Sequence, residues 1–162
     1  MKKITFILFA LIAGTAFGQT ATSATATAEI ITALKIAKDT DLNLGTIAPK
    51  SDNTSTFIIK TDGSVDVAST ATDMDATGRS AASFTITGED GETFALTVPA
   101  SVTLSGGSGA DMTLTLSHNL AATSNAFTSG SATLNVGGSL ALASNQGSGT
   151  YAGTINVSVD YE

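Results

Sequence analysis

Apolar and polar residues alternate one for one along the last fourteen residues of the chain, GTYAGTINVSVDYE. Gly149, Tyr151, Gly153, Ile155, Val157, Val159 and Tyr161 take one set of positions. Thr150, Thr154, Asn156, Ser158, Asp160 and Glu162 fall between them. A strand turns successive side chains to opposite faces, so this period predicts one long strand with an apolar inner face and a hydroxyl-rich outer one. The same alternation recurs upstream in short runs separated by turn residues. Residues 28–37 carry Ile30, Leu34 and Ile36 on one face and Ile31 and Ala33 on the other, which predicts a strand buried on both sides for part of its length. Residues 41–47 place Leu42 and Leu44 together before Gly45 bends the chain. Residues 56–60 and 64–68 flank Asp62-Gly63, a strong hairpin signal.

Residues 73–79 read as a polar connection turning at Gly78. Residues 82–87 and 93–98 flank a loop running from Gly88 to Glu92, which predicts a second hairpin. Val102 and Leu104 extend its second ladder beyond Pro99. Met112, Leu114 and Leu116 mark another strand, and residues 131–136 and 139–143 flank Gly137-Gly138 as a third, tight hairpin. No amphipathic helix of ordinary length is present. The sum is an all-β, immunoglobulin-like β-sandwich of roughly nine or ten antiparallel strands, with a closed barrel as the alternative fold.

The other end of the chain has a different pattern. Lys2 and Lys3 precede an uncharged run over residues 4–13, followed by Gly14, Thr15, Ala16 and Gly18. This is the layout of a secretory signal peptide cut after Gly18. The run is shorter than the roughly 20 residues of a permanent span, so no stable membrane insertion is expected after its removal. The predicted organisation is a signal peptide over residues 1–18, a flexible small-residue arm over residues 19–27 and a sandwich domain over residues 28–162. The protein is expected to be secreted, whether extracellular, on the cell surface or in the periplasm.

Charge and composition narrow the partners. The chain has 7 basic and 14 acidic residues, and loss of Lys2 and Lys3 leaves 5 against 14, a net charge of −9. An acidic surface without a basic cluster argues against nucleic acid or an anionic membrane as partner. There is no cysteine, so the fold relies on its core, and a domain of this size buries enough surface to do so.

The runs DLNLGTI, AASFTITGEDGETFALTVPASVTLSGG and MTLTLS, the Asn135-Val136-Gly137-Gly138 turn and the ending GTYAGTINVSVDYE together resemble the bacterial domain-of-unknown-function 4402 family across nearly all of the mature chain. The resemblance implies a secreted, surface-associated β-sandwich and assigns no activity. The ending is also similar to that of chaperone–usher pilins, with Tyr161 penultimate and Gly149 fourteenth from the end. That similarity implies assembly by strand complementation, in which a strand of one chain fills a groove in the next. It makes Gly149, Tyr151, Ile155, Val157, Val159 and Tyr161 the candidate assembly strand and Ile30, Leu34 and Ile36 the candidate donor anchors. The chain departs from those pilins in lacking a cysteine pair and in having only alanine as the apolar component of residues 19–27.

Catalytic chemistry has little footing. His118 has no cysteine to pair with, and no serine lies in a Gly-x-Ser-x-Gly elbow. No cofactor is implied, and no zinc or phosphate-loop pattern is present. Asp73 and Asp75, and Glu89, Asp90 and Glu92, are loop carboxylates of the kind used by low-affinity extracellular calcium sites, though without the full spacing of a calcium loop. They read first as solvated acidic turns. The expected function is a secreted structural or surface protein, pilin-like, assembling with itself or with related subunits. The alternative is a monomeric extracellular adhesion or binding module, calcium-dependent if the acidic loops hold the ion.

Overall fold

The computed structural model describes residues 20–162, so the expected signal peptide lies outside the described residues. The chain divides into two units, Met1–Ile30 and Ile31–Glu162. Within the first, residues 20–30 form no regular element and every side chain is exposed.

The second unit is all-β and antiparallel. Its strands are β1 (Lys35–Thr40), β2 (Thr46–Ala48), β3 (Ser55–Ile59), β4 (Thr72–Asp75), β5 (Ala82–Thr87) and β6 (Thr93–Thr97), followed by β7 (Ser101–Gly106), β8 (Met112–His118), β9 (Asn125–Ala126), β10 (Ser131–Leu142), β11 (Tyr151–Ala152) and β12 (Ser158–Tyr161). The alternation marks the inner faces of β3, β5, β6, β8 and β10. Elsewhere the expectations are corrected. The doubly buried strand over residues 28–37 reduces to β1 from Lys35, with Ile30 and Ile31 exposed. Residues 64–68 form no strand, and Val67 is fully exposed. The expected polar connection over residues 73–79 contains most of β4. A large sheet runs β1-β5-β10-β8-β7-β11, with β3 also on β10. A small sheet runs β12-β6-β9, and β2 and β4 form a separate ribbon.

The large sheet is organised by β10, the longest strand. Along one edge it pairs first with β5 (Leu134 opposite Phe84) and then with β3 (Leu140 opposite Phe57). Along the other it pairs with β8. Every second residue of β10 from Leu134 to Leu142 faces the core, because the period of two is unbroken across its twelve residues. The expected hairpin at Gly137-Gly138 is therefore absent. These glycines serve clearance rather than a turn. A Cβ on Gly137 would lie 2.4 Å from the Ile59 carbonyl oxygen, and one on Gly138 would lie 2.8 Å from that of Thr115. No side chain fits where β10 exchanges one partner for the other.

The expected second hairpin is also absent. β5 pairs with β1 and β10, whereas β6 pairs with β12 and β9. The loop between Gly88 and Glu92 carries the chain from one sheet to the other. Val102 and Leu104, expected to prolong the ladder of β6, sit instead on β7 in the large sheet. The two sheets meet through one buried cluster, in which Phe84, Ile86, Leu134 and Val136 pack with Phe94, Leu96 and Phe127. Phe94 and Phe127 stack with centroids 4.6 Å apart. A second cluster, Phe57, Ile59, Leu104, Met112, Leu114, Leu140 and Leu142, lies on the other half of the large sheet. Half-buried Leu42 and Leu44, with Ile47 of the β2–β4 ribbon, pack over it.

Gly137→Ala is expected to lower the stability of the domain by about 1–3 kcal/mol, the usual penalty for overpacking, read as a reduced urea midpoint at unchanged m-value. An unchanged midpoint would show that the junction of β3, β5 and β10 tolerates a side chain.

Candidate functional site

Residues 149–162 do not form the single strand that their alternation predicts. β11 pairs with β7 in one sheet and β12 pairs with β6 in another, and residues 153–157 belong to no ladder. The inner-face register is kept throughout. Tyr151 packs on the second cluster, while Val157, Val159 and Tyr161 pack on the first. A strand that leaves one sheet before joining the next must pass unpaired between them. Gly149 marks the entry, with φ at +137° and room for a Cβ only 2.5 Å from Gly107 Cα.

Two tyrosines fix the ends of this segment. The Tyr151 hydroxyl donates to the Gly147 carbonyl (2.7 Å) and accepts from the Gly109 N–H (2.9 Å) and Gln146 Nε2 (3.0 Å). The Tyr161 hydroxyl donates to the Thr32 carbonyl (2.7 Å) and accepts from the Glu89 N–H (2.7 Å). Its ring meets Phe127 edge-on at 6.2 Å. Thr32 is held a second time, because its N–H donates to the Glu89 carboxylate at 2.8 Å. Both backbone groups of Thr32 are thus taken up by side-chain and loop partners, as a neighbouring strand would take them.

Beside the Tyr151 end of this segment lies a cavity of about 970 Å³. Residues 40–49 and 146–155 line it, together with Leu104, Met112, Leu114, Leu140 and Leu142 of the large sheet. Those five side chains are at most 8% exposed. The cleft is open to solvent along part of its length, so water fills it where no partner does.

The wall formed by residues 40–49 is held in place by Arg79, the chain's one arginine. Its guanidinium lies over the Phe57 ring at 5.3 Å, donates from Nε to the Leu44 carbonyl (3.4 Å) and pairs with Asp73. The sequence reading missed this residue; a lone arginine soon after two aspartates was the available signal.

The structure separates the other predicted residues. Ile30 is 94% exposed. Leu34 and Ile36 are half-buried against the first cluster, and Ile36 sits in β1 opposite Ile86. Ile155 lines the cleft. Among the acidic residues, Asp73 pairs with Arg79, Asp75 accepts from the Thr77 N–H (2.8 Å) and Asp90 from that of Gly130 (3.2 Å). Glu92 is exposed. The hydrogen bonds from Thr77 and Thr32 hold the Asp75 and Glu89 carboxyls below their ordinary range. Among the described residues, no three His, Cys, Asp or Glu side chains are grouped to hold a metal ion. His118 is exposed, its Nδ1 2.7 Å from the Leu120 carbonyl.

A family model described as a domain of unknown function (DUF4402) matches residues 34–161. The chain belongs to the DUF4402 family. No curated protein and no solved structure matches it. The DUF4402 match takes in both walls and the floor of the cleft, and it begins at Leu34, where the exposed arm has ended.

Arg79→Met is expected to destabilise this DUF4402 domain by about 1–3 kcal/mol, less than a fully buried pair would give, since Asp73 is 39% exposed. Arg79→Lys should restore little of that, because the Nε donor and planar fork are lost. Urea unfolding measures both, and an Arg79→Met variant as stable as the parent contradicts the bracing role. The Glu89–Thr32 bond is expected to respond to acid. A carboxyl with a depressed folded pKa contributes stability present above its unfolded pKa, about 4.3, and lost as pH falls through the lower folded value. The Thr32 amide resonance should therefore shift with a midpoint below the ordinary glutamate range, and Glu89→Gln should abolish the transition. A Thr32 resonance indifferent to acid would rule the bond out.

Proposed function

We propose that this DUF4402 domain is a secreted structural subunit that joins a neighbour by strand complementation, a strand from outside the domain completing its cleft. The cleft between residues 40–49 and 146–155 carries this reading. Its floor is apolar, and residues 153–157 beside it belong to no ladder. Their backbone is exposed or half-buried and free to pair with an added strand, which is how strand addition generally recognises a sheet edge. A small apolar ligand would not make those backbone hydrogen bonds.

A monomeric binding module is the second reading, favoured by the volume of the cleft and its mix of apolar and polar lining, which suit a small molecule. Neither reading includes a catalytic step.

Light scattering and electron microscopy of the mature chain, residues 19–162, test the proposal. Linear multimers that lengthen with concentration and repeat at about one domain length are expected. A chain that stays monomeric at every concentration overturns complementation. A monomer that carries a co-purified apolar molecule in native mass spectrometry supports the second reading instead.

A further inference from the structure

We infer that the Asp90-Gly91 peptide is a site of spontaneous isoaspartate formation, and that this rearrangement loosens the hold of loop 88–92 on Thr32. The chain has two Asp-Gly pairs, Asp62-Gly63 and Asp90-Gly91, and no Asn-Gly pair. In such a pair the glycine amide nitrogen, unhindered by a side chain, attacks Cγ of the protonated aspartate carboxyl. The amide proton and the carboxyl hydroxyl leave as water, and a five-membered succinimide forms. Water then opens the ring at either carbonyl. Addition at Cγ restores aspartate, whereas addition at the α-carbonyl carbon leaves the main chain running through Cβ and Cγ. No oxidant or second reactant takes part, and the product is an isomer of the starting chain.

Only one of the two pairs is free to react. Ring closure needs an unengaged glycine nitrogen and a carboxyl that can turn toward it. At the first pair both are held. The Gly63 N–H donates to the Lys60 carbonyl (2.9 Å), and Asp62 Oδ1 accepts from the Ser64 N–H (2.9 Å) and the Ser64 hydroxyl (2.6 Å). Those bonds from Ser64 also keep the Asp62 carboxyl below its ordinary range, so less of it is in the protonated form. At the second pair, among the described residues, no group accepts from the Gly91 N–H. Asp90 Oδ1 has one partner, the Gly130 N–H at 3.2 Å. Asp90 and Gly91 are both exposed, and a Cβ on Gly91 would meet nothing within 4 Å.

The position of this peptide gives the rearrangement a consequence. Isoaspartate adds one carbon to the main chain directly after Glu89, whose N–H donates to the Tyr161 hydroxyl and whose carboxylate holds the Thr32 N–H. The loop is pinned on both sides, by the Gly88 N–H on the Gly130 carbonyl (3.1 Å) and by the Glu92 carbonyl on the Phe127 N–H (3.1 Å). Gly88 has no room to move inward, since a Cβ there would lie 2.6 Å from both the Phe127 ring and the Tyr161 hydroxyl. The extra carbon is therefore taken up between the pins, at Glu89 and Asp90. The turn that joins them rests on a single bond, the Glu92 N–H on the Glu89 carbonyl at 3.3 Å.

The chain over residues 19–162, kept folded in warm neutral buffer for several weeks, tests the assignment by peptide mapping with electron-transfer fragmentation, which distinguishes isoaspartate from aspartate. Isoaspartate is expected at Asp90 at least about tenfold faster than at Asp62, the factor that one ordinary hydrogen bond gives. In denaturing urea the two rates should converge. Asp62 converting as fast as Asp90 in the folded chain overturns the assignment, and so does a preference for Asp90 that persists unchanged in urea. Asp90→Glu should abolish the product, because its ring would have six members and closes far more slowly. Amide hydrogen exchange at Thr32 should be faster in the isoaspartate fraction than in the unaltered one. Equal exchange in the two fractions overturns the link to Thr32.

Discussion

The uninterrupted run of β10 through Gly137-Gly138 is the constraint on which the rest of the fold depends. Three strands take their register from it, β5 and β3 in succession along one edge and β8 along the other. The exchange from β5 to β3 brings the Ile59 carbonyl to a distance from Gly137 that admits no side chain. Because the alternation of β10 is unbroken across this point, Leu134 and Val136 serve the first core cluster and Leu140 and Leu142 the second. One strand thus joins two cores that are roofed differently, the first by a sheet and the second by a loop segment and a cleft.

That difference follows from how residues 149–162 are shared. The segment pairs with β7 and with β6, which lie in different sheets, so it pairs briefly with each and crosses between them unpaired. The two tyrosines make the crossing stable. Each ring packs in a core cluster while its hydroxyl satisfies loop backbone, Gly109 and Gly147 for Tyr151, Thr32 and Glu89 for Tyr161. An aromatic ring with a polar tip suits a position where a core ends and irregular backbone begins.

The faces of the strands were legible in the sequence because period-two alternation is a local property. Phe57 and Ile59, Phe84 and Ile86, and Leu134 and Val136 all point where their spacing predicted. The turn at Asp62-Gly63 was legible too, with Gly63 at φ +81° and Asp62 capping Ser64. Strand partners were not. Residues 88–92 have turn chemistry that suits a hairpin and an intersheet crossing equally, and only the distant strands β1, β10, β9 and β12 decide between them. Gly137-Gly138 has the composition of a turn, yet the glycines answer to a carbonyl nearly eighty positions away in sequence. The acidic residues were ambiguous for a similar reason, since Asp73 is defined by Arg79 and Glu89 by Thr32. The cleft had no signature of its own, because it arises where two segments remote in sequence fail to meet.

The treatment of another exposed edge gives this openness its meaning. The outer edge of β3 is sealed by residues 66–71. Ser69 and Thr70 accept the N–H groups of Ile58 and Thr56 on their hydroxyls at 2.9 Å, and Asp66 and Thr70 return backbone donors to the carbonyls of the same two residues. Sealing of this kind blunts strand edges against unwanted pairing. The chain is rich in serine and threonine, and Thr154, Asn156 and Ser158 place polar side chains along the crossing segment itself. Yet among the described residues no comparable loop closes over residues 153–157. The same chain therefore closes one edge with hydroxyl caps and leaves another uncapped beside an apolar floor. The difference lies in local sequence: residues 66–71 bring the Ser69 and Thr70 hydroxyls to the amides of β3, whereas Thr154 and Asn156 stand exposed on the crossing segment.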